Sequence, residues 1–375
     1  PIAKRIFALP AVEAASHSYS HPFNWAKAMQ LGDTQDDGAV DKSYGLPLPG
    51  YRFNLQREVQ GSIDYINTRL MPPNKKATLF LWSGNCVVPE PGITETVRSG
   101  LLNMNGGDTV ITNSNNSWTA IAAQGVRKSG AYQVFAPNQN ENVYTNNWTG
   151  PFYGFERVIE TFKLTGAPYR FKPVDIYYHV YSASKKASIT ALHKVYDWAS
   201  AQPFTRVFPS QYIQKVLDFE STSMARDLAS GELLVRTGSA LRTLRMAPGA
   251  AAPSVVDSSG IAGIAPGPAG DYLTLTSAQA RLAATADRGG AVVQVQEVNG
   301  GISQFTRSRS GGVEQLQFTV SANERITLTL AQARSCVLKA DGKTVPALAG
   351  SQRYLVDADA RNFTQRSVIT VRCAP

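Results

Sequence analysis

The chain has 375 residues, 43% hydrophobic and 17% charged, with 30 glycines, 21 prolines and a net charge of +9. That composition excludes a disordered or collagen-like chain and is long enough for two folded domains. No run of about 18 apolar residues occurs, which excludes a membrane-crossing helix, and the basic surplus is spread without a Lys/Arg block, so it reads as solvated surface rather than a nucleic-acid stripe.

In chain order, the apolar run Arg5 to Val12 reads as a buried strand. Ser16-His17-Ser18-Tyr19-Ser20-His21-Pro22 follows and holds two of the four histidines in the chain. A spacing of four can bring both imidazoles to one side of a tight turn, and Pro22 keeps the pair out of a regular helix. Neutral imidazole is a common metal ligand, with zinc its frequent partner. Phe23 to Gln30 reads as a helical turn. A Gly/Asp/Pro-rich loop then holds Thr34-Gln35-Asp36-Asp37-Gly38.

Leu55, Val59, Ile63, Ile66 and Leu70 mark an amphipathic helix with Asn54 as its N-cap and Pro72-Pro73 closing it. Ala77 to Trp82 reads as a buried strand ending in the turn Ser83-Gly84-Asn85-Cys86. Helix Ile93 to Leu102, the Gly-rich loop Asn103 to Asp108, the short strand Thr109 to Ile111 and the strand Ala131 to Ala136 come next. Phe152 to Leu164 reads as a helix and Val174 to Tyr181 as a strand. Helix Ser184 to Ala201, a strand at Arg206 to Phe208, helix Ser210 to Ser230 and a strand pair from Glu232 to Met246 complete this half. Alternating strands and helices predict a parallel α/β sheet or barrel over residues 1–247.

Gly249 to Gly270 is Ala/Gly/Pro/Ser-rich and reads as partly linker. Seven short strands separated by Gly-containing turns then predict an all-β sandwich over 248–375, with the Cys336 and Cys373 strands placed to form a disulfide. Such a bond suits an oxidising compartment.

The string Ser16 to Trp25 resembles the His-[Ser/Thr]-x-x-His-Pro motif of the NodB-type polysaccharide deacetylases. With Leu79 to Pro89, Leu101 to Thr109 and Val174 to Lys186, it is most similar to the deacetylase portion of the PelA-type proteins of bacterial Pel exopolysaccharide systems. The resemblance implies an α/β fold, an incomplete (β/α) barrel of the polysaccharide deacetylase type, followed by the β-sandwich, which can be a carbohydrate-binding module. It implies metal-dependent N-deacetylation of an N-acetylhexosamine polymer, N-acetylgalactosamine in Pel, for biofilm matrix in the periplasm. A divalent metal, zinc in the first instance, would be held by His17 and His21. His179, at the end of Ile176-Tyr177-Tyr178-His179, would be the acid that protonates the departing amine. Trp82, Asn85, Asn105, Asp108 and Tyr178 are the candidate substrate contacts, although Trp82 can equally belong to the core and Asp108 can cap a turn. Partners implied are the N-acetylated polysaccharide and a PelB-like outer-membrane export scaffold, with no nucleic acid.

The family's Asp-containing motif, which supplies the base and a third metal ligand, should precede the His pair by many residues. No Asp precedes His17 here, and Asp36-Asp37 follows it. The chain is therefore expected to be a piece of a longer polypeptide, with the Asp supplied by a missing N-terminal segment of the same protein. Two other readings stand beside this one: a non-catalytic polysaccharide-binding or assembly module, and a glycosidase using Glu156 with Glu160, or Asp36 with Asp37, as its carboxylate pair. Cys86 has no histidine near it in sequence and makes a poor nucleophile.

Overall fold

A computed structural model describes residues 2–32, 48–284, 292–359 and 362–374. The Thr34 to Gly38 string, with Asp36 and Asp37, lies outside the described residues. The chain divides into two compact units, Pro1–Phe204 and Thr205–Pro375. Residues 205–247, expected with the first domain, fall in the second.

In the first unit, α1 (Ile2–Phe7) replaces the expected strand at Arg5 to Val12. Its straight-chain residues favour a helix. Lys75 Nζ then donates to the carbonyl of Phe7 at the helix end and to those of Leu9 and Val12 in the chain beyond it, at 2.8, 2.9 and 2.6 Å. The strand itself comes later and is short: β1 (Ala15–Ser16). Next are α2 (Trp25–Leu31) and α3 (Ser62–Arg69), the latter preceded by a wider turn at Arg57–Gly61. Asn54 Oδ1 accepts from Arg57 N, as its sequence position predicts. Then come β2 (Leu79–Leu81), α4 (Glu90–Arg98), β3 (Leu102–Met104), β4 (Gly125–Lys128) and β5 (Ala131–Val134). Three further helices are α5 (Glu141–Tyr144), α6 (Val158–Leu164) and α7 (Lys186–Ser200).

The sheet runs β1-β2-β3-β5-β4. The first four strands are parallel and β4 is an antiparallel edge. Among the described residues this is an open sheet with no barrel closure. Trp25, Val59, Ile63, Phe80, Trp82 and Ile93 fill its core.

Of Val174 to Tyr181, expected as a strand, residues 174–179 are extended but join no ladder, and Val180–Ser184 is a short 3-10 helix. Side chains stand in for a neighbouring strand. Asn138 Nδ2 donates to Asp175 O at 2.8 Å, Asn138 Oδ1 accepts from Asp175 N, and Glu141 accepts from His179 N. Val174, Ile176 and Tyr178 meanwhile pack on Val158, Phe162 and Val195. The segment's apolar character is thus used against helices. Thr109 to Ile111 and Arg206 to Phe208 likewise form no strand.

The second unit opens with α8 (Pro209–Ser221), shorter than expected. The strands are β6 (Ser223–Arg226), β7 (Leu233–Arg236), β8 (Thr243–Arg245), β9 (Ile261–Ala265), β10 (Tyr272–Leu275), β11 (Gln279–Leu282), β12 (Gln294–Val298), β13 (Gly301–Ser310), β14 (Val313–Ala322), β15 (Thr327–Ala331), β16 (Cys336–Ala340), β17 (Lys343–Val345), β18 (Arg353–Leu355) and β19 (Gln365–Cys373). β7 and β8, expected as a pair, join different sheets, β11-β7-β6 and β8-β10-β9. Gly249 to Gly270 is not simply a linker: Ser254, Val255, Ile261 and Ala262 are buried. The sheets β12-β15-β18 and β13-β14-β19-β16-β17 face one apolar cluster that includes Val295, Leu316, Phe318, Leu328, Leu330 and Ile369. That layout is compatible with a β-sandwich. Cys336 and Cys373 sit opposite each other on β16 and β19 and are disulfide-bonded.

Candidate active site

The parallel strands end on one edge, and the loops beyond those ends carry the polar residues picked out by sequence. Ser16 is paired with Phe80, so the residue after β1, His17, emerges beside Leu81. His17 Nδ1 lies 2.8 Å from the Leu81 carbonyl, which can only accept. Nδ1 therefore carries the proton, and Nε2 keeps the lone pair. His17 and His21 meet edge to face with ring centres 4.9 Å apart. This closeness comes from a loop, since Ser18 (φ 73°) and His21 (φ 56°) both lie in the left-handed region. Ser18 Oγ accepts from His21 N at 3.0 Å and helps to hold the turn.

Glu58 pins this loop from beneath. It is wholly buried, and its carboxylate accepts from Tyr19 N and Ser20 N at 2.9 Å each, Ser20 Oγ at 2.5 Å and Tyr51 Oη at 2.7 Å. On the other side, the turn after β2 clasps Pro22 and Phe23. Ser83 Oγ donates to Pro22 O at 2.7 Å and Asn85 N to Phe23 O at 2.8 Å. A Cβ on Gly84 would stand 2.2 Å from the Phe23 carbonyl oxygen, so only glycine fits there.

His17 is an exposed residue, yet the protein crowded around the imidazole pulls its pKa down, to about 4. The charge of His21 adds to this, the Leu81 carbonyl opposes it, and the charge of His179 adds a further downward push. His17 is therefore neutral across ordinary pH, the form a metal requires.

His179 is held by a residue that sequence reasoning missed. Glu141, in the first turn of α5 and wholly buried, accepts from His179 Nδ1 at 3.0 and 3.2 Å through its two oxygens. It also accepts from His179 N at 2.9 Å and Ser182 Oγ at 3.2 Å. With Nδ1 committed to Glu141, Nε2 is the ring nitrogen left over for another partner. The Tyr181 ring lies flat on the imidazole, 4.8 Å away and tilted by 6°. Nothing in the sequence marks Glu141, because an acidic residue after Asn140 reads as an ordinary helix start.

The expected substrate contacts fare unevenly. Trp82 is fully buried, with Nε1 donating to Asn103 Oδ1 at 3.1 Å and its ring against Trp25 and Phe80. It is a core residue and offers no face to a sugar. Asn105 is also buried, in the left-handed region at φ 105°, with Nδ2 donating to Trp82 O. Its amide braces the β2 and β3 ends. Asn85 is exposed, with Oδ1 accepting from Val87 N. Asp108 is exposed and accepts from Gln139 Nε2 at 2.9 Å. Tyr178 leans into the α6–α7 cluster beside Tyr196. Burial and the nearby Asp108 push the Cys86 thiol up to about 12, which makes it inert. Glu156 pairs with Lys194 and Glu160 with Arg157, so both carboxylates of this candidate glycosidase pair are engaged in ion pairs. His193 is exposed on α7.

The chemistry of the donor set fits a divalent metal in part. His17 is neutral and oriented, and His21 adjoins it. Among the described residues, however, no group of three His, Cys, Asp or Glu side chains could hold an ion. The two histidines are half of a tetrahedral set. Comparison with protein-family models, with curated proteins and with solved structures returned no match.

Proposed function

We propose that this chain carries the metal-binding histidine pair and the proton donor of a metal-dependent N-deacetylase of the PelA type. Its substrate is an N-acetylhexosamine exopolysaccharide, N-acetylgalactosamine-rich, in the periplasm. The observation that supports this best is the His17–His21 pair itself, ring centres 4.9 Å apart on a loop held by the buried Glu58, with His17 Nδ1 fixed on the Leu81 carbonyl; Glu141 fixes His179 Nδ1 in the same manner.

A bound divalent metal would polarise the acetyl carbonyl and lower the pKa of water. His17 and His21 would hold it, with a carboxylate from outside the described residues as third ligand. In the reaction the acetyl C–N bond breaks, water supplies the oxygen of the acetate, and the amine leaves with a proton. His179 Nε2 is the donor. Glu141 keeps the ring in the orientation that presents Nε2, and the Tyr181 face shields one side of it from water.

The test is zinc content and acetate release from N-acetylgalactosamine oligomers, using the 375-residue chain with and without an added segment bearing the Asp motif. His179→Ala should abolish acetate release and leave zinc bound, whereas His17→Ala or His21→Ala should lose zinc. Full acetate release by the His179→Ala protein would sink the assignment. The partly exposed aromatics around Trp148 favour a second reading, a non-catalytic polysaccharide-binding module. Oligosaccharide binding without acetate release, even with the added segment, would select it.

A further inference from the structure

Asn146, Asn147 and Trp148 are three consecutive residues in the left-handed region, at φ 51°, 51° and 62°. Asn tolerates that region because its short side chain bonds locally, but Trp does not. A turn that served the fold alone would be better made with glycine. The strain persists beside His179, and strained backbone gathers where a side chain must be aimed.

What it aims is an aromatic step. The Trp148 ring lies 4.9 Å from Tyr181 and 5.1 Å from Phe152, and Tyr181 is the ring stacked on His179. These three aromatics lie outside the apolar cluster of α6 and α7. Tyr181 is 37% exposed, and Trp148 and Phe152 are half-buried. Polar groups rim the step: Asn146 and Asn147 are exposed, Tyr181 Oη donates to Asn142 Oδ1 at 3.0 Å, and Lys185 Nζ sits 5.1 Å over the Phe152 ring.

We propose that Trp148, Phe152 and Tyr181 form a stacking subsite for a pyranose ring of the polymer, adjoining His179. A pyranose offers an apolar C–H face whose hydrogens are polarised positive by the ring oxygens, and an aromatic face is negative. Its hydroxyl rim matches the exposed amides of Asn146 and Asn147 beside the step. The identity of the ligand rests on the deacetylase reading; the subsite rests on the ring geometry.

The test is calorimetric titration of the metal-free full chain with an N-acetylgalactosamine hexasaccharide, which needs no turnover. Trp148→Gly removes the ring at a φ that glycine adopts freely, so the fold should survive. Circular dichroism and the thermal midpoint check this. Binding should weaken about tenfold or more in Trp148→Gly, the loss of one good stacking contact. Trp148→Phe should stay within about threefold, since a ring remains. His179→Ala, which tests the reaction, should retain binding. Undiminished binding by a folded Trp148→Gly protein, or no binding by the wild type, overturns the subsite. Weakened binding in Trp148→Gly, with no acetate release even by the zinc-loaded wild type carrying the added Asp-bearing segment, supports the subsite and sinks the reaction.

Discussion

Replacing Glu58 tests whether the histidine loop is built from below. Its carboxylate accepts four hydrogen bonds, from two backbone N–H groups and two hydroxyls, with none of its surface exposed. Hydrogen bonds to a charged acceptor contribute about 1.5–3 kcal/mol each, but the buried charge costs several kcal/mol to desolvate. Removing the acceptor leaves the Tyr19 and Ser20 donors unpaired, so Glu58→Ala should cost about 4 kcal/mol, in the range for breaking a buried network. Glu58→Gln keeps the shape but turns an NH₂ group towards donors, and about 2 kcal/mol is expected. Tyr51→Phe removes one bond from the rim and should cost about 1 kcal/mol. All five tryptophans lie in the first unit, so their fluorescence in urea follows that unit alone. Zinc titration of the folded Glu58→Gln protein then reads the loop directly, and at least tenfold weaker affinity is expected if the carboxylate sets the His17–His21 spacing (about 1.4 kcal/mol). An unfolding midpoint and a zinc affinity both equal to wild type in Glu58→Gln would refute the reasoning.

The remaining predictions concern other buried groups. Glu141→Gln should lower kcat for acetate release about a hundredfold and leave KM within a few-fold, because it misplaces a proton donor without touching the polymer; an unchanged kcat and pH profile would remove its positioning role. Burial pushes the Asp175 carboxyl up to about 6, above its unfolded value of about 3.9. The folded state therefore holds a proton that the unfolded chain has lost between those values, and stability falls as pH rises from about 4 to about 6, by about 2 kcal/mol. Asp175→Asn should match wild type near pH 4 and exceed it above pH 6; parallel pH curves would contradict this. Cys336→Ser with Cys373→Ser opens a link of sequence separation 37 and should lower the stability of the second unit by about 4 kcal/mol on the chain-entropy account, read by its thermal transition in a scanning calorimeter.

Much of the local structure was legible because periodicity and caps are local. The Asn54 cap, the helix on Ile63 and Ile66, the strand at Leu79–Leu81 and the Cys336–Cys373 pairing all follow from neighbouring residues or matched strands. The failures share a cause. Val174 to Tyr181 has the pattern of a strand, but its ladder is replaced by Asn138 and Glu141 side chains that no local pattern announces. Trp82 looks like a sugar platform until the tertiary packing of Trp25 and Phe80 encloses it. Glu58 and Glu141 were invisible because a single acidic residue in a helical segment has many commoner uses. The histidines themselves were visible, since half of a scarce residue type stands in one seven-residue string.

Neither half of the site sits on regular structure. His17 and His21 ride a loop with two left-handed residues, and His179 ends an extended segment without a ladder. Each half is nevertheless gripped in the same way, by one wholly buried carboxylate that takes backbone N–H and side-chain donors together. For stability alone the gain is modest, because desolvating a buried charge offsets much of what its hydrogen bonds contribute. It is a good choice for aiming, since a carboxylate with several fixed donors admits few orientations of the groups around it. Two independent occurrences, each holding the backbone that carries a histidine, argue that the imidazole geometry is what the buried charges serve. If so, replacing Glu58 with Leu and Glu141 with Met, which leaves the same N–H donors unpaired, should cost stability together with zinc affinity and proton donation, and a folded double variant that kept both functions would show the carboxylates to be incidental to them.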